Sequence, residues 1–371
     1  MKITYLLVTA DAGAGTERAI ISQANAMAHR GHRVEILSVF RDHDRPHFPI
    51  SRSILRKYAV DRRNTHDLST QPSQLIPPTW DGQFTAASDQ TFPALLRSCT
   101  ADIVVAPTPP LAALAVQFLP DSRRLVQQEH RATQLRGTSR GPLDEYISQV
   151  DCLVLLTQST KDWVVEEYGD RVPRLEVIPN SIPSVFRPQA SSREHLIVSA
   201  GRLVGGKRFD HLIRAFAMTR AQAPDWKLRI YGSGPRRGDL HRLINALDLT
   251  EIVEIVPNIT DMLREWPKGS IAALTSTAEG LPLVGLEAIA AGLPFVSYDC
   301  PTGPAAIILD DVNGRLVPDG DLPGFASTLI ELMTDDALRT RMGRGARESA
   351  TRFDEVTITD RWERLFGELL T

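Results

Sequence analysis

Short apolar runs recur down this chain, and most are followed by a turn and then by apolar residues at helical spacing. In the first half they are Ile3 to Val8, Arg33 to Val39, Ile103 to Ala106, Leu125 to Gln128, Cys152 to Leu156 and Leu175 to Ile178. In the second half they are Leu196 to Ala200, Leu228 to Tyr231, Ile252 to Val256, Ile271 to Leu274 and Phe295 to Tyr298. Strands that alternate with helices pair in parallel, because only a helical crossover carries the chain back to start a second strand in the same direction. The expectation is an α/β, doubly wound fold.

The chain has 371 residues, more than one hydrophobic core usually accommodates, so two domains are expected. A polar stretch from Ser181 to Glu194 with two prolines separates the two series of runs. We place the first domain at residues 1–187 and the second at 188–353. Residues 354–371 form a last amphipathic helix by the spacing of Val356, Trp362, Leu365 and Leu369.

An apolar fraction of 42% and a charged fraction of 23% are ordinary for a soluble globular protein. The net charge of −3 gives no overall attraction to nucleic acid. Cys99, Cys152 and Cys300 show neither metal-binding nor disulfide spacing, as in a reducing compartment. The run after Met1 is too short for a signal peptide or a membrane span and reads as a first buried strand. A cytoplasmic protein is expected, with peripheral membrane contact left open.

Chemistry concentrates in the second half. Between Leu274 and Pro294 the residues read strand, loop, helix. Glu279 lies just before the helix, Pro282 suits a first helical position, Glu287 lies inside, and Gly292 with Pro294 ends the pattern. The N–H groups of a helix start favour a phosphate, and a neighbouring carboxylate accepts hydrogen bonds from hydroxyls. An anion joined to a polyol is what a sugar nucleotide presents. Upstream, Gly201, Arg202, Leu203 and Lys207 leave a strand through a glycine-rich turn. The forked donors of Arg202 and the ammonium of Lys207 suit a diphosphate. Gly232-Ser233-Gly234-Pro235 ends the next strand, where missing β-carbons permit close backbone approach. For each feature taken singly, a solvated helix residue, a pair of loop cations or a plain turn is the competing reading.

Glu279 and Glu287, seven residues apart, resemble the Glu-x7-Glu signature of retaining glycosyltransferase family 4. Gly201-Arg202-Leu203 with Lys207 resembles that family's Gly-Arg-Leu…Lys motif, and the Gly232 to Pro235 turn its Gly-x-Gly-Pro. The motifs stand in order through nearly all of the second domain. By this resemblance the fold is GT-B: two Rossmann-like doubly wound parallel-sheet domains facing a central cleft, acceptor side first and donor side second, with the terminal helix crossing back to the first domain. It implies that Arg202 and Lys207 stabilise the leaving diphosphate, that Glu279 faces the donor sugar and that Glu287 faces the ribose. Asn258 and Ile259 would present main-chain groups to the base. Gly280, Leu281, Pro282, Leu283 and Val284 would line the donor, and Thr302 and Gly303 would add hydroxyl and amide donors near the sugar or phosphate. His130, after the run ending at Gln128, matches a histidine that relatives often carry beside the donor sugar.

In the first domain, Gly13-Ala14-Gly15 precedes a helix. A dinucleotide-binding reading fails on its third glycine, replaced by Arg18, and on Phe40-Arg41 where an acidic residue would meet a ribose. The family has a glycine-rich turn here, so Gly13 and Gly15 become donor or acceptor contacts, Gly15 foremost. Asp42-His43-Asp44 and Asp319-Gly320-Asp321 match a metal-binding triplet by chance spacing, and with Arg202 and Lys207 present no metal is expected. No cofactor is required beyond the nucleotide-diphosphate sugar, UDP-linked by preference. Residues 41–63 carry a local excess of arginine that could meet an anionic acceptor or a membrane surface, or form a solvated loop. From Asn64 to Ser88 a long irregular loop is expected.

The expected activity is retaining transfer of a hexose or N-acetylhexosamine to a hydroxyl acceptor, in surface-glycan or natural-product glycosylation. The alternatives are a sugar-nucleotide epimerase or phosphorylase of the same fold, or a non-catalytic partner subunit. Acceptor, sugar and oligomeric state are open.

Overall fold

The computed structural model describes residues 1–63, 71–172, 174–184, 194–257 and 262–371. The chain forms two compact units: Met1–Ser181 together with Glu355–Thr371, and Ile182–Asp354.

In the first unit the strands, in chain order, are β1 (Lys2–Thr9), β2 (Arg33–Arg41), β3 (Leu55–Asp61), β4 (Ile103–Ala106), β5 (Arg124–Gln128), β6 (Cys152–Leu155) and β7 (Leu175–Val177). They form one sheet in the order β3-β2-β1-β4-β5-β6-β7, every described pairing parallel. The alternate residues of β1 show why apolar side chains occupy both of its faces. Ile3, Tyr5 and Leu7 enter the core cluster that holds Ile20, Ile21, Ala24 and Met27 of the helix Gly15–His29. Leu6 and Val8 enter the cluster holding Phe84, Phe92 and Leu111 on the opposite face.

The terminal helix Glu355–Leu370 packs in this unit, placing Ile358, Trp362, Leu365 and Phe366 in the same cluster as β1. Its spacing of i, i+4, i+7 and i+8 gives one apolar stripe. Val356 does not join that stripe: it is 61% exposed, and lying two residues before Ile358 it falls on the opposite side of the helix.

In the second unit the strands are β8 (Leu196–Ala200), β9 (Lys227–Tyr231), β10 (Val253–Val256), β11 (Ile271–Leu274), β12 (Phe295–Asp299) and β13 (Gly314–Pro318). They form a parallel sheet in the order β10-β9-β8-β11-β12-β13. One large cluster, including Ile197, Phe209, Phe216, Leu228, Tyr298, Phe325 and Leu329, fills one face beneath its helices.

Two strands were hidden from the sequence pattern. The segment β3 falls within the arginine-rich stretch, where three of its first residues, Leu55, Arg56 and Lys57, are exposed at the sheet edge. Charged residues on an edge strand mask its period while discouraging further pairing. The segment β13 is short and opens on Gly314, where a β-carbon would lie 2.0 Å from the carbonyl oxygen of Phe295, so the glycine belongs to the strand packing. Residues 71–88 are less irregular than expected, with a helical turn at Pro78–Asp81 and a helix starting at Ala86.

Candidate functional site

In each sheet the order reverses direction once, between β1 and β4 and between β8 and β11. Loops leaving neighbouring strands at such a reversal run to opposite faces, and the gap they open at the carboxyl ends is where ligands of open α/β sheets bind. In the second unit the turn after β8 carries Gly201, Arg202 and Lys207, and the loop after β11 carries Glu279.

These two loops meet. The ammonium of Lys207 donates to Oε1 of Glu279, and the hydroxyl of Ser276 donates to the same oxygen at 2.6 Å. Both charged side chains are mostly covered, at 23% and 12% exposure. Arg202 stands exposed on the turn between them and β8. The pair leaves a cation beside a carboxylate at a strand reversal, where one can meet a phosphate and the other a sugar hydroxyl.

Pro282 is the N-cap of the helix Leu283–Ala290, one position before the first helical place expected for it. Leu281 and Pro282 are buried, Leu283 and Val284 are half-buried in the first turn, and Gly280 lies between Glu279 and that turn. Glu287 is 3% exposed, which sets aside a solvated helix residue, and its Oε2 accepts the indole N–H of Trp266 at 2.9 Å.

Thr302 and Gly303 support the Glu279 loop directly. The main-chain N–H groups of Thr302 and Gly303 donate to the carbonyl of Glu279 at 2.8 and 3.1 Å, and the Thr302 hydroxyl donates to it at 3.0 Å. The donors expected for a ligand are thus engaged within the loop here. A β-carbon on Gly303 would lie 2.7 Å from the carbonyl oxygen of Gly280.

The glycines of the two turns have a reason in packing. The N–H of Gly201 donates to Tyr231, and that of Leu203 to Ser233, at 2.9 Å each. This brings the turns so close that a β-carbon on Gly232 would lie 1.9 Å from the oxygen of Gly201, and one on Gly234 2.5 Å from that of Leu203. Asn258 and Ile259 lie outside the described residues.

His130 belongs to the first unit and follows β5. The residue keeps some exposure, but its Nε2 is enclosed without a hydrogen-bond partner among the described residues. Burial, aided by the charge of Arg136, pushes its pKa down to about 3, so the ring is neutral at pH 7. Beside it, Glu129 and Arg136 form a buried ion pair at 2.7 Å, a constraint that a lone histidine in the sequence does not announce.

Gly15 opens the helix Gly15–His29 after the N-cap Ala14, and both Gly13 and Gly15 are exposed. The His47 ring lies over Gly13, 3.1 Å from where a β-carbon would stand. Buried Asp11 accepts the main-chain N–H groups of Asp42 and His43 at 3.0 and 2.6 Å, fixing this cover.

The aspartates of the two triplets have structural partners. Asp42 pairs with Arg62 and Asp44 with Arg63, Asp319 pairs with Arg208, and Asp321 caps the helix Leu322–Thr334 through the N–H of Gly324. Among the described residues no group of three His, Cys, Asp or Glu side chains is placed to hold a metal ion.

Two doubly wound parallel sheets, with this charged pair at the strand reversal of the second, define a protein of the GT-B class. Residues 13–184 match the model of glycosyltransferase family 4 and residues 183–349 that of glycosyl transferases group 1. The chain belongs to this family. It is 40% identical over its whole length to an exopolysaccharide phosphotransferase of Streptomyces coelicolor, and spans 41% of that protein. An uncharacterised glycosyltransferase of Haemophilus influenzae is 25% identical over 98% of this chain and 99% of its own. Among solved structures, the pneumococcal O-GlcNAc transferase GtfA, in complex with UDP and GlcNAc, superimposes with a TM-score of 0.81 at 15% identity, covering 100% of this chain and 99% of its own.

Proposed function

We propose that this chain is a retaining glycosyltransferase that needs no metal and moves a hexose or N-acetylhexosamine from a nucleotide-diphosphate sugar, UDP-linked by preference, to a hydroxyl of a surface glycan. The observation that carries the reading is the Lys207–Glu279 pair on the loops after β8 and β11. Family membership supports the reaction class. The UDP and GlcNAc held by the pneumococcal protein support the donor, and the exopolysaccharide relative supports the acceptor class.

In this reading the second unit holds the donor. Lys207 turns from Glu279 to the diphosphate, and with Arg202 neutralises charge that grows as the bond from the anomeric carbon to the phosphate oxygen breaks. Interactions that strengthen in the transition state are the ones that accelerate the step. Glu279, released, accepts from sugar hydroxyls, and Glu287 accepts from the ribose. The acceptor oxygen bonds to the same face of the anomeric carbon, and its proton passes to the departing phosphate oxygen. His130 is assigned to the sugar, as a neutral ring. The first unit is assigned the acceptor. Contact with an anionic acceptor or a membrane surface would fall to Arg45, Arg52 and Arg56, which are exposed, since Arg62 and Arg63 are engaged with Asp42, Asp44 and Asp61.

A thermal-shift panel of UDP, GDP, ADP and their sugars, with and without magnesium, tests the reading, because a ligand bound only by the native state raises its apparent stability. The expected result is metal-independent stabilisation by UDP and one UDP-sugar, lost in Arg202→Ala/Lys207→Ala. No response at millimolar ligand would overturn it.

A further inference from the structure

At the strand reversal of the second unit, β8 and β11 stop sharing a ladder early. Their pairing covers only Ile271 with Ile197 and Ala272 with Val198. Beyond it the strands separate, and the carbonyls at the end of β11 need other donors, since buried backbone oxygens are seldom left unmet. The Ser199 hydroxyl serves Ala273 at 2.7 Å. Thr275 and Ser276, both fully buried, are served by one side chain: Nε of Arg208 donates to the carbonyl of Thr275 and Nη2 to that of Ser276, each at 3.0 Å.

The exchange is reciprocal. The hydroxyl of Thr275 donates to the carbonyls of Lys207 and Arg208 at 3.1 and 2.8 Å, and the N–H of Thr277 donates to Gly206 at 2.9 Å. The guanidinium also pairs with Asp319, beyond β13, and lies 4.8 Å from the ring centre of Tyr298 on β12. One side chain therefore joins the ends of β8, β11, β12 and β13, four consecutive neighbours in the sheet.

Its backbone makes the choice of residue more telling. Arg208 has φ 43° and ψ 44°, the left-handed region that glycine enters freely and an arginine does not. A residue chosen for this turn alone would be glycine. The side chain compensates by holding, from one planar fork, two carbonyls and a carboxylate, a set that lysine, with a single ammonium, cannot match.

We propose that Arg208 is the positioning residue of this site: it sets the turn bearing Lys207 against the loop bearing Glu279, so that both meet the donor in register. The role rests on the donor-site reading of Lys207 and Glu279 above. Arg208 itself touches the reacting atoms in no step. Small displacements of groups that act in the transition state cost rate more than binding.

The test compares Arg208→Gly, Arg208→Ala and Arg208→Lys in the full chain. The readouts are UDP release from UDP-N-acetylglucosamine and from UDP-glucose, with water as acceptor, UDP affinity by calorimetry, and thermal midpoint. Arg208→Gly relieves the backbone, so its midpoint should lie above that of Arg208→Ala. Its kcat should nonetheless fall about 100-fold, with KM and UDP affinity within a few-fold of wild type, and Arg208→Lys should not restore the rate. A kcat within twofold of wild type in Arg208→Gly would overturn the proposal. Should Arg208→Gly fail to fold, Thr275→Val and Thr275→Ser carry the test: the serine variant should keep the rate that the valine variant loses, and equal rates would overturn the role. If Lys207→Ala and Glu279→Gln also release UDP at the wild-type rate, or wild type releases none, the site reading is what has failed.

Discussion

The ammonium of Lys207 donates to Oε1 of Glu279, which also accepts the hydroxyl of Ser276. In the proposed reading, donor binding replaces one anion by another at Lys207. Removing the lysine leaves a mostly covered carboxylate without its cation, an intermediate case between surface and buried pairs. For Lys207→Ala we expect a loss of roughly 1–3 kcal/mol in stability and of about 100-fold to 1,000-fold in turnover. The double variant Lys207→Ala/Glu279→Gln should be less destabilised than the sum of the single changes while remaining inactive. Urea unfolding of the four proteins checks this, and additive effects would mean that the two groups are not coupled.

Trp266 donates its indole N–H to Glu287 and so orients the carboxylate assigned to the ribose. Trp266→Phe keeps an aromatic ring, though a smaller one, and removes that hydrogen bond, worth about 1 kcal/mol. UDP affinity should fall by about fivefold, as 1.4 kcal/mol is tenfold. Glu287→Gln should narrow the preference for UDP over 2′,3′-dideoxy-UDP, measured by calorimetry. An unchanged preference would remove Glu287 from the ribose.

The enclosed ring of His130 keeps its proton off down to about pH 3, whereas an unfolded histidine takes one up near pH 6.5. The unfolded state thus binds more protons between these values, and stability from this residue is present above pH 6.5 and lost as the pH falls toward 3. Acidification from pH 7 to 5 should lower the urea midpoint of wild type more than that of His130→Asn. Equal losses would show that the ring titrates normally. Turnover that is unchanged in His130→Ala would separately remove the role at the sugar.

Glycines in one site should differ sharply in tolerance. A methyl group on Gly232 would strike the carbonyl oxygen of Gly201, which the neighbouring turn cannot move without breaking its hydrogen bonds, whereas at Gly206 the nearest atom is the Thr277 hydroxyl at 3.6 Å. Gly232→Ala should lower the thermal midpoint by several degrees, as a loss of 1–3 kcal/mol from overpacking does (about 2–4 °C per kcal/mol for a domain of this size). Gly206→Ala should leave it nearly unchanged. Comparable midpoints would contradict the close approach of the two turns.

Much of this protein was legible one residue at a time. Runs such as Ile103 to Ala106 and Ile271 to Leu274 are buried parallel strands with the expected ends, because covering both faces of a sheet demands unbroken apolar residues. The spacing of Glu279 and Glu287 and the order of the glycine turns carried the family resemblance, since local motifs keep their chemistry in linear order.

Tertiary structure decided what that spacing leaves open. The partner of Lys207 is 72 residues away in the chain, and the partner of Trp266 is 21 away. Arg208 has no assigned part in the sequence motif, and only folding brings the ends of β11, β12 and β13 around it. Edge strand β3 was masked by charges that serve its exposed side, and Val356, read from the sequence as part of the apolar stripe, faces solvent. Sequence determines which groups a loop can offer. Which of them meet depends on sheet order and on where strands diverge, because hydrogen bonds and ion pairs act over a few ångströms that only the folded chain sets.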